Sequence, residues 1–405
     1  MPDFRSAQII ADPYPALRQL QQEDPCHWNE GLDAWCLTRY ADVEAALRDD
    51  RFSADRIRPF VEHQSSVPPE HVTTLGETFS LWLVFNDPPR HTRLRKLMNK
   101  GFTPGAVNAL REDIAAIAHQ LIDQVIDAGQ MDAVRDFGYP LPATVIAHIL
   151  GVPAEDIDLL KRWSDDIAAF VLVSRAHPDR YRAAATSIAE MNAYFAEIVR
   201  HRRLHPGDKV IDGLITAHDG EDALSMEELL AACTLLLFAG HETTTHFICN
   251  GLVGLMDAPA QLADMRKHMA DETYLHVALS EILRWDGPII SVLRVLAAPV
   301  TLHGKTLNAG DRAYLFVNAA NRDPRQFSNP DRLDLRRVNA RHQIAFGQGI
   351  HTCLGAHLAR VEGAVALPIL LNRLQDVTPV AAPLRWSDSL VIRGLESLPI
   401  HFRSR

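Results

Sequence analysis

The sequence predicts a mainly helical fold with smaller β sheets, and three observations carry that expectation. Helical spacing of apolar residues runs with few breaks over residues 104–215. A second stretch, residues 226–256, has the length and composition of one long buried helix. Strand-like segments are short and few, and they fall near the N-terminus, around residues 289–317 and in the C-terminal tail.

Composition narrows the function before any motif is read. The 405 residues are 47% hydrophobic and 23% charged, ordinary values for a globular protein able to bury a sizeable core. No linker, internal repeat or low-complexity segment marks a boundary, so 1–405 reads as one domain. A formal charge of −10 argues against nucleic acid or anionic membrane as the main partner. Five cysteines (Cys26, Cys36, Cys233, Cys249 and Cys353) are odd in number and scattered, which fits a reducing cytoplasm rather than a disulfide scaffold. The N-terminal MPDFRSAQIIADPYP has no basic region followed by an apolar run, so no signal peptide or membrane anchor is expected. The longest apolar run, residues 229–240, is too short to span a bilayer.

Along the chain, Asp12 and Pro13 read as an N-cap and first helical residue, with Leu17 and Leu20 on the core face. Residues 27–38 form a hairpin around Glu30-Gly31-Leu32-Asp33, and residues 40–47 return to helix with Asp42 as its cap. Residues 52–80 lack a sustained period and read as a long loop carrying short helices. Asp87-Pro88-Pro89 opens a basic helix in which His91 and Arg95 share one face, while Arg93, Lys96 and Lys100 fall opposite. One face could grip an anionic ligand and the other meet a partner, although spacing alone is more often explained by a solvated basic helix. Residues 163–175 and 180–202 read as two helices joined by residues 176–179.

The long helix contains a local conflict. Its apolar first half is followed by Ala239-Gly240-His241-Glu242-Thr243-Thr244-Thr245, and a glycine with three consecutive β-branched residues weakens a helix interior. A packing kink is one explanation. The other is chemical, because Glu242 beside Thr243 places a carboxylate and a hydroxyl where they could relay protons. Further on, Glu281 and Arg284 lie at i, i+3 on a helix over residues 274–285. Residues 289–296 are strand-like, with Arg294 among apolar neighbours and so in need of an anionic partner. Residues 302–308 read as a hairpin with Gly304-Lys305 at its turn, residues 313–317 as a strand, and residues 389–402 as a hairpin turning at Arg393-Gly394.

The stretch FGQGIHTCLGAHLAR, residues 346–360, places Cys353 after a loop with Gly347 and Gly349 and before a helix with Leu354, Leu358, Val361, Val365 and Ile369 on one face. A helix start favours a thiolate, and the glycines permit a tight turn and a close backbone approach to a flat ligand. A lone thiolate without further ligands at metal spacing suits the axial position of a haem iron better than zinc. For a cysteine taken alone, a buried structural thiol is the commoner explanation.

Phe346, Gly347, Gly349, His351, Cys353 and Gly355 match in full the pattern F-G-x-G-x-[HR]-x-C-x-G, and the segment resembles the haem-binding loop of the cytochrome P-450 family. DPPRHTRLR, AGHETT and the E-x-x-R at Glu281–Arg284 resemble its other landmarks and follow in its order. The resemblance implies a triangular-prism helical domain around buried haem b (iron protoporphyrin IX), with Cys353 as axial iron ligand and Phe346 beside it. It implies His91, Arg95, Arg294 and His351 around the haem propionates, Ala239 and Gly240 leaving room for oxygen, and Glu242 with Thr243 delivering protons. Glu281 and Arg284 would form a buried ion network, with Arg332 as third member. Residues 163–202 would form the mobile roof of a pocket lined by Phe79, Leu83, Phe170, Leu236, Phe238, Ile289, Ile290, Val391 and Ile392. The activity implied is that of a cytoplasmic, monomeric monooxygenase acting with O2 on a hydrophobic small molecule. Electrons would come from a ferredoxin or flavodoxin and its NAD(P)H-dependent reductase, docking at Arg93, Lys96 and Lys100, since no fused reductase is expected. A non-catalytic haem sensor and a peroxide-driven relative are the rivals, and an intact acid–alcohol pair counts against both.

Overall fold

Ser6 accepts a hydrogen bond from the Ile9 N–H and starts a helix over Ala7–Ala11, which the sequence pattern does not separate from the next. Asp12 accepts from the Tyr14 N–H, and the second helix is Tyr14–Glu23, with Pro13 rather than Asp12 at the cap. Leu17 and Leu20 are buried as expected. The computed structural model describes residues 2–63, 67–171, 179–218, 223–380 and 383–404. These fold into two compact units, one of residues 1–52, 110–142 and 242–405, the other of residues 53–109 and 143–241.

The first unit is built on a five-stranded sheet. Cys26–Asn29 and Ala34–Leu37 form the hairpin, turning through Asp33 at φ 49°. Ala34–Leu37 runs parallel to Arg312–Leu315, which is antiparallel to Val292–Leu296 and pairs Ala313 with Arg294. Phe52–Ser53 lies at the far edge. Alternation splits the strand residues between two cores: Leu37, Leu296 and Leu315 pack with Val43, Phe52 and Ile344, while Cys36 and Tyr314 pack with Phe4, Leu17 and Phe316. Both faces are therefore covered, and the strands read as short apolar runs. Asp42 is not a cap. Arg39 holds that position in Tyr40–Ala46, and the Asp42 carboxylate accepts from His303 Nε2 at 2.7 Å.

A smaller hairpin, Val300–Leu302 with Lys305–Leu307, turns at His303-Gly304. In the tail, Arg385–Trp386 pairs with Leu395–Ser397, and Pro399–Ser404 joins Gln130–Asp132 and Leu374–Pro379. Arg393 is consequently no exposed turn residue. It is buried, its guanidinium lies against Trp386, and it donates to Asp286 and to the Ile10 and Ala11 carbonyls.

The second unit is helical. Residues 52–80 contain more helix than expected, with Ile57–His63 followed by the eleven residues of Pro69–Phe79. An aromatic cluster replaces the missing period: Phe79 stacks on Phe170 and meets Trp82 edge-on, while Phe60 packs on Phe170 and Tyr181. Ile157–Val171 and Arg180–Leu204 pack as the expected pair, and the residues 176–178 of their expected connection lie outside the described residues.

The long helix, Met226–Asp257, is continuous through Gly240 and the three threonines. Its C-terminal half approaches its neighbours closely. A Cβ at Gly251 would meet Ile282 at 2.9 Å, and one at Gly254 would meet Trp285 at 2.5 Å. These glycines seat the helix against Glu272–Asp286.

Candidate active site

The cysteine loop is assembled from backbone hydrogen bonds. The Ile344 N–H donates to Asn321 Oδ1 at 2.8 Å, the Gly347 N–H to the Ile344 carbonyl at 2.9 Å, and the Cys353 N–H to the Phe346 carbonyl at 2.8 Å. Gly347 and Gly349 have φ of 71° and 72°, the left-handed region that glycine enters without a steric penalty. Gly349 also lies close to another segment, since a Cβ there would sit 2.9 Å from the Leu47 carbonyl. Gly355 caps the following helix, Ala356–Arg373, so Cys353 lies just ahead of its first turn.

Cys353 is exposed, whereas Cys26, Cys36, Cys233 and Cys249 are buried. Burial pushes the Cys26 and Cys233 thiols up to about 12 and raises Cys36 and Cys249 as well. Among the described residues no group of histidine, cysteine, aspartate or glutamate could hold a metal ion. A single accessible sulfur on a glycine-shaped loop fits the one axial bond of a haem iron and not a multi-ligand zinc site.

Sequence reasoning passed over Arg360, two turns beyond the loop. Its guanidinium lies 4.5 Å from the centre of the Phe346 ring. Burial disfavours the Arg360 charge, and the neighbouring Cys353 favours it. A cation and the sulfur thus share one electrostatic environment. The clue was the arginine's place in the stretch, but an arginine on a helix ordinarily reads as solvated.

On the long helix Glu242 and Thr243 are half-buried, and Thr244 and Thr245 are buried. The buried His241 ring is kept neutral by loss of water, and its Nδ1–H donates to the Leu237 carbonyl at 2.8 Å. Ala239 is exposed. A Cβ at Gly240 would meet Ile146 Cδ1 at 2.7 Å, so the glycine lets that side chain pack against the helix.

In Arg90–Met98, His91 is buried, Arg95 half-buried, and Lys96 exposed, as is Lys100 just beyond. Arg93 does not share the outer basic face. Its guanidinium pairs with the buried Glu228 carboxylate and donates to the Ala223 carbonyl at 3.1 Å, which removes it from the docking set. Arg294 is buried on its strand and donates to the Leu293 carbonyl, and His351 ends the single turn Gly349–His351.

The cytochrome P450 family model matches residues 17–383. The chain belongs to the cytochrome P450 family. It is 38% identical over 98% of its length to the cytochrome P450 monooxygenase PikC of Streptomyces venezuelae, of which it covers 92%. It is 37% identical to the vitamin D(3) 25-hydroxylase of Pseudonocardia autotrophica, over 98% of this chain and 96% of that one. The crystal structure of P450BioI in complex with acyl carrier protein carrying hexadec-9Z-enoic acid superposes with a TM-score of 0.89 and 32% identity, over 98% and 99% of the two chains. This P450 is a monooxygenase, and the family's cofactor is a haem bound through a cysteine thiolate.

The structural ion network of this P450 has a different third member from the one expected. Glu281 and Arg284 are fully buried and form a fork, Nε to Oε2 at 2.6 Å and Nη2 to Oε1 at 2.8 Å. Arg337, not Arg332, completes it, with Nε 3.0 Å from both Glu281 oxygens. Arg332 is exposed and supplies only its carbonyl, to Arg284 and Arg337. The chain folds back at Asp334, where the Arg337 N–H donates to the Asp334 carbonyl, and this turn aims position 337 inward. Arg284 also donates to the Asn321 carbonyl at 2.9 Å, so one asparagine joins the network to the start of the cysteine loop.

The pocket positions fall into two groups. Phe79, Leu83, Phe170, Leu236 and Phe238 lie in the helical unit, where Phe79 is wholly buried in the aromatic cluster and Phe238 packs on Trp82. Ile289 bridges Ile392, and the Ile290 N–H donates to the Val391 carbonyl at 2.8 Å. Ile290 packs against Phe4 and Phe316, which makes it a core residue. Among the described residues no helix of this P450 is long and apolar enough to cross a membrane.

Proposed function

We propose that the chain is a haem b monooxygenase that inserts one atom of O2 into a hydrophobic small molecule, as a single cytoplasmic, monomeric haem domain over residues 1–405. The observation that carries this reading is Cys353, the one exposed cysteine, held on a loop closed through the Phe346 carbonyl. When bound, the haem would supply the oxygen-activating redox chemistry, with the Cys353 thiolate holding its iron. His91, Arg95, Arg294 and His351 would hold its carboxylates, a role that four cationic or hydrogen-donating side chains fit. Phe346 and Gly347 shape the sulfur side, with Gly355 opening the helix behind. Glu242 and Thr243 hold and pass protons, the carboxylate recharging the hydroxyl. The substrate class follows from the apolar character of the pocket positions. Relatives named for vitamin D3 hydroxylation and solved with a fatty acyl chain support it, and steroid, terpenoid, aromatic and polyketide-like compounds all fit.

Thr243→Ala is expected to bind haem normally but to consume NAD(P)H with little product, releasing peroxide instead. Product formed per NAD(P)H should fall about tenfold, less than the ~10²–10⁴-fold that one proton-transfer group contributes to a rate, because coupling is a ratio of two fluxes. Full coupling in that variant would refute the relay. A chain that binds haem and substrate but forms no product with any reductase system would be a sensor.

Electrons come from a separate ferredoxin or flavodoxin and its reductase, docked with the help of Lys96 and Lys100. Charge reversal at both lysines should slow reduction about tenfold at low ionic strength and flatten its salt dependence. Unchanged stopped-flow reduction rates at low salt would exclude this face.

A further inference from the structure

Arg393 faces two ways. Its buried guanidinium donates through Nε to Asp286 Oδ1 at 3.2 Å, and through Nη1 and Nη2 to the Ile10 and Ala11 carbonyls, each at 3.0 Å. Its backbone belongs to the tail. The N–H donates to the Pro288 carbonyl at 2.7 Å, and the carbonyl accepts from Asn250 Nδ2 of the long helix at 3.0 Å. Gly394 continues that contact, since a Cβ there would collide with the His246 ring, one turn beyond Thr243.

The helix that Arg393 holds cannot place itself. Ala7–Ala11 has five residues, too few for a helix to be stable alone, and none of them is fully buried. Its last carbonyls have no acceptor role within the helix, and a cation beside them also suits the helix dipole. Phe4 stacks on Phe316 at 5.0 Å before it, and the Tyr14 hydroxyl donates to Asp286 after it, so the helix bridges two anchors. A cavity between this bridge and the tail is lined by Phe4, Ile9, Ile10, Ile290 and Ile392. Ile289 and Val391, the other pocket positions on these segments, are half-buried. Residues 289 and 392 pair through an isolated bridge and not through a ladder, so side chains help to set where this wall stands. A guanidinium offers its donors in a rigid fork, and three fixed acceptors therefore fix the backbone behind it.

We propose that Arg393 is a positioning residue for substrate specificity: by clamping the helix Ala7–Ala11, it sets where Val391 and Ile392, and with them one wall of the substrate pocket, stand. The inference rests on the reading of Ile289 and Val391 as pocket positions.

The test reads the pocket of the holoenzyme with two azoles, imidazole and the bulkier phenylimidazole, whose nitrogen binds haem iron and shifts its Soret band. Arg393→Lys keeps a positive charge beside Asp286 but loses the fork. It should weaken phenylimidazole about fivefold, the scale of one lost hydrogen bond, and leave imidazole within about twofold. Amide exchange over residues 5–12, followed by mass spectrometry, should become about tenfold faster, while the long-wavelength band of the reduced carbon monoxide complex persists. Ile9 packs on the core around Phe4, so Ile9→Glu frees the helix without altering Arg393 and should weaken phenylimidazole equally. Because both act through one clamp, the double variant should be no weaker than either single variant. Unchanged phenylimidazole binding in Arg393→Lys would overturn the proposal. So would equal losses for both azoles, which report general loosening, or effects that multiply in the double variant. If Arg393→Lys does not fold, Ile9→Glu decides by the same two azoles. Val391→Trp tests the pocket reading separately and should weaken phenylimidazole about tenfold, the scale of a bulky side chain forced into a filled space. No change there would refute that reading, while amide exchange would still show whether Arg393 holds the helix.

Discussion

Cys353→Ser is expected to abolish the long-wavelength Soret band of the reduced carbon monoxide complex and to bring turnover to background. Cys353→His should do the same while retaining some haem, because imidazole is also a haem ligand. The expectation rests on how isolated the sulfur is. The other four cysteines are buried in well-packed positions, so none can substitute as an axial ligand without local unfolding. The loop itself should survive the change to serine, since the bond that closes it uses the Cys353 N–H and not its side chain. Loss of the band with an intact far-ultraviolet circular dichroism spectrum is therefore the expected pair of results. Retention of the band in either variant would remove Cys353 from its role.

Arg337→Met should be the most damaging change outside the cysteine loop. It leaves the Glu281 carboxylate with Arg284 and the Asp334 N–H, and it strips partners from the Ser328, Asn329 and Arg332 carbonyls. Removing one partner of a buried ion pair typically costs about 3–5 kcal/mol, because the charge left behind stays out of water. Burial already disfavours the Arg284 charge, and Glu281 is its largest support, so the network has little tolerance for loss. Arg332→Ala should cost under about 0.5 kcal/mol, as for an exposed side chain of which only the backbone is used. Urea unfolding midpoints of the two variants check this directly. Haem content should fall with Arg337→Met, since Asn321 links the network to the loop that carries Phe346 and Cys353. Equal midpoints for the two variants would show that the third member is not Arg337.

What was legible in the sequence is local. The cysteine loop, the acid–alcohol turn and the Glu281–Arg284 pair each lie within a few residues, so spacing alone defines them. What was hidden depends on long-range packing. Arg332 and Arg337 are five residues apart in a segment without periodicity, and only the turn at Asp334 decides which one points inward. The close approach of Ile146 to Gly240 joins positions remote in sequence, which spacing does not reveal. Arg93 lost its place on the outer face to Glu228, a partner more than a hundred residues away. Spacing predicts a face of Leu354, Leu358, Val361, Val365 and Ile369 on the helix after the loop. The residues it buries are Leu358, Val361, Glu362, Gly363, Ala366, Leu367, Leu370 and Leu371. A buried carboxylate such as Glu362 leaves no mark in apolar spacing.

The unequal burial of the five cysteines has a consequence for damage and repair. At neutral pH the four buried sulfurs are held as thiols, too acid-weak and too enclosed to be oxidised or to exchange disulfides. Among the cysteines, electrophiles and oxidants meet one sulfur only. On the proposed ligation that sulfur would be occupied in the holoenzyme, and in a chain that has lost its haem it would be the position where sulfenic acid can form. Cofactor loss and cysteine oxidation would then converge on a single atom, and a chain oxidised there would not be reloaded until it was reduced. The working lifetime of the enzyme would thus be tied to the reducing power of its surroundings.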